Sequence, residues 1–329
     1  MITAKKICQT EMTDREAMGL PENYIDGKFS NSFHIFANLR TATTEELISI
    51  TLDQSYSLDE RYVAGTLLAL SGDPRINTKN PEMILIPGGY YKIGISEEEA
   101  ESVTMKFKHV GVEKSWIMKE VPEHVQKVEA FEIAKYPVTN QEFREFLVDT
   151  GFSELPSSWH LGIFDYYKAN HPVYSVSLNA ISVYIEWLNT KTNNEFRLPT
   201  EVEWEVAASG LAHNEYPWGN QFSSLLANTA ESGIYHTTPV GIYPNGTSFF
   251  GAHDMAGNVE EYVSCDYKPY HGGMFQVDHL SENNVKYRVA RGGSFARFAD
   301  LARTSRRHGK FPRFDRDIFA MGFRLARNV

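Results

Sequence analysis

Residues 197–208 read RLPTEVEWEVAA. Thr200 with Glu203 three residues on makes a capping box, and Gly210 closes the helix that it opens. The stretch is therefore a strand end feeding a capped helix, with Trp204 as its buried anchor. Two more helices are predicted upstream. One runs from about Asn140 to Val148, with Phe143, Phe146 and Leu147 on one face. The other runs from about Leu178 to Asn189, where Ile181, Tyr184, Ile185 and Leu188 fall at i, i+3, i+4, i+7. Before them, VQKVEAFEIAKYPVT alternates like a strand, and MILIPGGYYKIG reads as two short strands around a Gly-Gly turn. Downstream of Leu211 no helix is predicted. Gly, Pro, Asn and aromatic residues recur at close intervals, as in a loop-rich region with short strands.

The beginning of the chain has a different texture. Thr13 or Asp14 is placed to cap a short helix. Thr44-Glu45-Glu46 starts a second, and Ser57-x-x-Glu60 is a capping box for a third that Gly72-Asp73-Pro74 stops. The pair at about 43–72 resembles one HEAT-type helical unit. No second copy is visible in the sequence, so a solenoid is not expected. Two short helices cannot bury a core alone and should dock on the main domain. Residues 75–81 read as a polar linker, giving a helical segment at 1–80 and a main domain at 82–329.

Composition bounds the function. The 329 residues are 42% hydrophobic and 22% charged, as in ordinary globular proteins. A net charge of −10 argues against nucleic-acid binding, which needs a basic face. No apolar run is long enough to span a bilayer, and no signal peptide is read at the start of the sequence. Two cysteines, Cys8 and Cys265, exclude a disulfide framework and make a cytoplasmic location the expectation.

Eight strings now stand in a fixed order: MILIPGG (83–89), EAFEIAKYPVTNQEFREF (129–146), HPVYSVSLNAISVYIEWLN (171–189), RLPTEVEWEVAA, YPWGN (216–220), FGAHDMAGNVEEY (250–262), RVARGGSF (288–295) and MGFRLAR (321–327). In this order they resemble the formylglycine-generating, or sulfatase-modifying-factor, family. They are also similar to the C-terminal half of ergothioneine-type sulfoxide synthases and to pyoverdine-maturation oxidases. The resemblance implies an α+β, C-type-lectin-like fold, rich in loops, with the small helical segment in front. It implies a calcium site in DMAGNVEEY, formed by the side chains of Asn258 and Glu261 and the carbonyls of Ala256 and Gly257; oxygen donors suit that hard cation. A second calcium site of the family lacks its Asp here, although Asn228 is present.

The same resemblance puts two copper-binding cysteines, five residues apart, shortly after GGS. Here the segment reads GGSFARFADLARTSRRHG, without cysteine. Cysteine-to-formylglycine oxidation by that route is therefore excluded. The iron-binding His-x3-His-x-Glu set of the sulfoxide synthases has no match in residues 1–80, where His34 is the single histidine. A different iron or other transition-metal site would have to use histidines. His253 and His308 are the catalytic candidates, with His271 a third that could meet them near the GGS loop.

Residues 288–316 hold nine basic side chains against Asp300 and Asp315, an excess of seven positive charges in an acidic protein. Arginine forks bind carboxylate or phosphate. Arg303, Arg307 and Arg324 match structural positions of the family. Arg297, Arg306, Arg313 and Arg316, with Phe295 and Phe298, are the expected substrate-binding residues. Two functions fit: a metal-dependent oxidase or oxygenase acting on an anionic small molecule or peptide, and a catalytically inactive binder of an acidic or basic protein, such as a toxin-immunity or regulatory module.

Overall fold

The computed structural model describes residues 12–278, 280–281, 286–309 and 319–329. Its first helices are α1 (Asp14–Ala17), α2 (Phe33–Leu39), α3 (Thr44–Leu52) and α4 (Leu58–Ser71). Strands β1 (Met83–Ile86) and β2 (Gly89–Ile93) come after them, then α5 (Glu97–Lys106) and α6 (Lys114–Ile117). Next are β3 (His124–Val128), β4 (Phe131–Ala134), α7 (Asn140–Thr150), α8 (Leu178–Thr192) and α9 (Glu201–Ser209). The C-terminal part carries β5 (Glu260–Asp266), β6 (Arg288–Arg291), β7 (His308–Gly309), β8 (Met321–Gly322) and β9 (Ala326–Asn328).

One local device starts many of these helices. A Ser or Thr accepts from the backbone N–H three residues on, while the Glu there reaches back to the cap. This reciprocal box opens α3, α4, α5, α7 and α9. It satisfies donors that a helix start otherwise leaves unpaired. Helix α5 is not expected from the sequence. Ala100 and Val103 are its buried residues, so its apolar period is thin despite the Ser96–Glu99 box.

The strands form three small sheets, ordered β1–β4–β9, β2–β3 and β7–β6–β5–β8. The Gly-Gly turn therefore does not fold β1 onto β2. It passes the chain between sheets, with Gly88 so close to the backbone that a Cβ would lie 3.0 Å from the Ala130 nitrogen. One apolar cluster unites Phe143, Phe146, Tyr184 and Leu188 of α7 and α8 with Phe323 and Leu325. A second gathers Trp204, fully buried, with Ile86, Ile93, Ile133 and Val289.

The helical segment docks on the main domain through polar clamps. Arg61 donates to the Ile242 carbonyl at 2.7 Å, and Asn170 donates to both the Gly65 carbonyl and Asp73. Arg75 pairs with Asp73 and donates to the Val240 carbonyl. Residues 75–81, a polar linker by composition, are thus partly packed: Ile76 and Thr78 are buried.

Candidate functional site

Strand β5 begins Glu260-Glu261. Successive strand residues point to opposite faces, so the two carboxylates serve different sides of the sheet. Both are buried. Glu261 accepts from Trp204 Nε1 at 2.7 Å and from Arg324 Nε and Nη2 at 2.6 Å each. Arg324 also donates to the carbonyls of Ala134 and His253. One fork thereby ties β4, α9, β5 and the turn before β5 together. That turn lies against the GGS loop: Gly257 N–H donates to the Gly292 carbonyl, and Phe295 N–H to that of Asn258. Gly257 and Gly293 adopt positive φ, and a Cβ there would come within 2.4 Å of the Asn228 oxygen and 2.9 Å of the Ala302 nitrogen.

This geometry corrects the expectation of calcium at Asn258, Glu261, Ala256 and Gly257. Both Glu261 oxygens are taken by guanidinium and indole N–H groups. The Asn258 side-chain oxygen accepts from Thr238 N–H at 2.9 Å, and its amide donates toward Asp254 and the Thr238 carbonyl. A hard cation needs converging oxygens without such donors. The residues do not fit calcium; they form a hydrogen-bonded turn.

Glu260 faces the other side. Its Oε2 lies 2.6 Å from His308 Nδ1, and its Oε1 lies 3.6 Å from Arg297 Nε, beyond hydrogen-bond length. Arg297 also sits 4.8 Å over the Phe319 ring. Arg306 donates to the carbonyls of Trp116 and Arg307, with its Nε 3.7 Å from Asp300. Around these groups lies a cavity of about 40 Å³, lined by Arg297, Phe298, Asp300, Arg306, His308 and Trp116, with Ala17, Val110, Val112 and Leu301. Among the described residues, Arg297 Nε and Nη2, Arg306 Nε and Glu260 Oε1 have no hydrogen-bond partner. Burial pushes Glu260 up to about 7 against the pull of Arg297 and Arg306. Burial, then these same two arginines, holds His308 well below the usual imidazole range. Burial likewise raises Asp300 to about 6.

Four sequence candidates thus meet at one cavity: His308, Arg297, Phe298 and Arg306. Phe295 does not join them; it is core, packed edge-on against Tyr174. Arg313 and Arg316 lie outside the described residues. His253 is not brought to His308. It packs on Tyr136 on the Glu261–Arg324 side, and its imidazole is pushed down to about 3 by burial and by Lys135, Arg75 and Arg324. His271 is exposed. A histidine–carboxylate iron site does not fit this arrangement. His308 is flanked by two guanidinium groups, His253 by three cations, and no three His, Cys, Asp or Glu gather as ligands among the described residues. Arg303 and Arg307 are forked onto Glu120 and Glu201. Sequence reasoning missed Glu260, Asp300 and Trp116. Period-two alternation of the Glu-Glu pair was the signal for Glu260; the other two carry none.

Residues 70–329 match the model of the sulfatase-modifying factor enzyme 1-like domain. The chain belongs to that family. It is 30% identical to the hercynine oxygenase of Mycolicibacterium smegmatis over 75% of this chain and 61% of that protein. It is 28% identical to the formylglycine-generating enzyme of Thermomonospora curvata over 65% of this chain and 82% of that one. Three hercynine oxygenases that it resembles are matched over 53–61% of their length, so this sulfatase-modifying-factor chain spans little more than half of those relatives. The structure of PvdO from Pseudomonas aeruginosa superposes with a TM-score of 0.59 at 27% identity, covering 76% of this chain and 95% of that one. Treponema denticola variable protein 1 shares the fold, with a TM-score of 0.56 at 20% identity and coverage of 75% and 95%. Among the described residues, no helix is long and apolar enough to cross a membrane.

Proposed function

We propose that this chain is an oxidoreductase-type member of its family, an oxidase or oxygenase rather than a cysteine-to-formylglycine oxidase. Its substrate is a small molecule or peptide that presents an anionic group to the Arg297–Arg306 pocket. One observation carries the binding half of the proposal: among the described residues, two buried guanidinium groups keep N–H donors without a hydrogen-bond partner beside a common cavity, with Glu260 and Asp300 only at ion-pair distance. Unpaired buried donors are costly, and an anionic oxygen accepting from them relieves that cost. The cavity has room for a few waters or an anionic head group, not for a whole substrate. The His308–Glu260 pair lies beside it, with Glu260 raised to about 7, and can hold or release a proton at the bound group near neutral pH. The oxidative half rests on kinship with proteins named hercynine oxygenase and formylglycine-generating enzyme.

A second reading, an inactive binding or regulatory module such as a toxin-immunity protein, is favoured by the absence of a ligand cluster among the described residues and of any cysteine after Cys265. Calorimetry with sulfate, phosphate and small carboxylates tests the shared anion site. Arg297→Gln and Arg306→Gln should each weaken binding about 10- to 100-fold, the usual worth of a charge-assisted bond. Unchanged affinity in both variants would remove the anion site from either reading. Metal analysis and oxygen-electrode traces on the untagged protein separate the two: no iron or copper and no oxygen uptake leave the binder.

A further inference from the structure

Arg307, Arg324 and Arg297 are all buried, and the same edge of the guanidinium meets a different fate in the third. Arg307 donates from Nε and Nη2 to the two oxygens of Glu201, each at 2.7 Å. Arg324 donates from the same two nitrogens to the oxygens of Glu261, each at 2.6 Å. Two parallel N–H groups meeting two oxygens is the geometry that a carboxylate fits. The Arg297 guanidinium lies 4.8 Å over the Phe319 ring, which fixes its plane. Its Nε and Nη2 have no hydrogen-bond partner among the described residues. An acceptor stands beside this fork. Glu260 Oε1 is 3.6 Å from Arg297 Nε and accepts no hydrogen bond among the described residues, while its other oxygen lies 2.6 Å from His308 Nδ1. Asp300 is 3.7 Å from Arg306 Nε, so two guanidinium groups face two carboxyl groups at ion-pair distance.

These surroundings discriminate among anions. A phosphate or sulfate dianion on the fork brings a second negative charge toward Glu260 and Asp300, and like charges at such range repel. A carboxylate brings one. A bare carboxylate, however, satisfies the fork and leaves Glu260 Oε1 without a donor, and a buried acceptor without a donor is costly. A carboxylate with an N–H or O–H on the neighbouring carbon satisfies both. We propose that the group bound here is a carboxylate with a hydrogen-bond donor on its α-carbon, the head of a 2-amino or 2-hydroxy acid, its oxygens forked on Arg297 and its α-donor directed to Glu260. The inference rests on the anion-pocket reading and narrows it to one class of ligand. The smallest such heads are the size of a few waters, which matches a cavity of about 40 Å³.

Glycine, glycolate and propionate test this, because they share a carboxylate and differ only in the ammonium, hydroxyl or methyl group on the next carbon. Calorimetric titrations of the full chain are run at about pH 8, above the value of about 7 to which burial lifts Glu260, so that its carboxylate is an acceptor. Glycine or glycolate should bind about 10- to 100-fold tighter than propionate, the usual worth of a hydrogen bond to a charged group, and tighter than sulfate or phosphate. A gain for glycine alone supports the inference as a 2-amino acid, and a gain for glycolate alone supports it as a 2-hydroxy acid. Glu260→Gln, checked for native circular dichroism, should shrink the ratio while propionate keeps or gains affinity, because the charge beside the fork is gone. An unchanged ratio in that variant would overturn the role of Glu260; if the variant does not fold, the wild-type ratio decides alone. Three equal affinities that all fall in Arg297→Gln would keep the anion site and overturn the donor-bearing class. So would sulfate or phosphate binding above every carboxylate. No binding by any of these anions would remove the site and this inference together.

Discussion

Glu142 shows how a single position can combine a local and a global role. Its carboxylate closes the capping box of α7, accepting from Thr139 N–H and Oγ at 2.7 Å each. It is also buried, and burial lifts it from 4.5 to about 7 despite those two bonds. A carboxyl group whose folded value lies above its unfolded value stabilises fully below the unfolded value. That contribution disappears as pH rises through the folded one. Relative to Glu142→Gln, which retains the box, the wild type should lose up to about 3 kcal/mol between roughly pH 5 and pH 8. Urea titrations of both proteins across that range check it; parallel stability curves would show that Glu142 is not the titrating group. Nothing in the letters around Glu142 announces this, since capping glutamates are usually solvated. The same holds for Glu260, whose burial depends on which way one strand residue points. Arg303, Arg307 and Arg324 are legible as structural because they match positions of the family, whereas their partners Glu120, Glu201 and Glu261 are distant in sequence.

At the scale of elements, α4 illustrates a conflict between propensity and packing. Gly65 lies inside this helix, where alanine would ordinarily be favoured by about 1 kcal/mol. Its missing side chain lets the helix touch Pro239: a Cβ would sit 2.7 Å from the proline Cβ and 2.8 Å from its Cγ. Gly65→Ala should therefore lower stability by about 1–3 kcal/mol, the cost of overpacking, instead of raising it. A thermal melt that rises in Gly65→Ala would mean that α4 is docked more loosely. The capping signals of α3, α4 and α9 are readable from the sequence, and so is the amphipathic stripe of α8. Helix α5 is not, because its glutamate-rich surface leaves too few apolar positions to show a period. Strands β1 and β2 are readable as strands, yet their partners are not, because a Gly-Gly turn permits a change of sheet as readily as a hairpin.

For the whole molecule, the docking clamps carry the consequence. Arg61 to Ile242, Asn170 to Gly65 and Asp73, and Arg75 to Val240 bind the helical segment into the main body. Leu58 shares a buried cluster with Ile234, Ile242 and Tyr243. A single cooperative unfolding transition is expected, with far-ultraviolet circular dichroism and tryptophan fluorescence tracing one curve. Two separated transitions would show that residues 43–72 melt alone. The fold is legible because eight separated strings agree in order. The pocket is half legible: the basic segment points to it, but the choice between a guanidinium locked on glutamate and one left with spare donors is made by tertiary placement. That choice is made at the first two residues of β5. Glu261 closes the ion pair that holds four parts of the frame together, while Glu260, one position earlier, equips the cavity. Substitutions on the Glu260 side can therefore alter what the protein recognises while the frame stays intact, so that the chemistry of such a domain is free to drift faster than its shape.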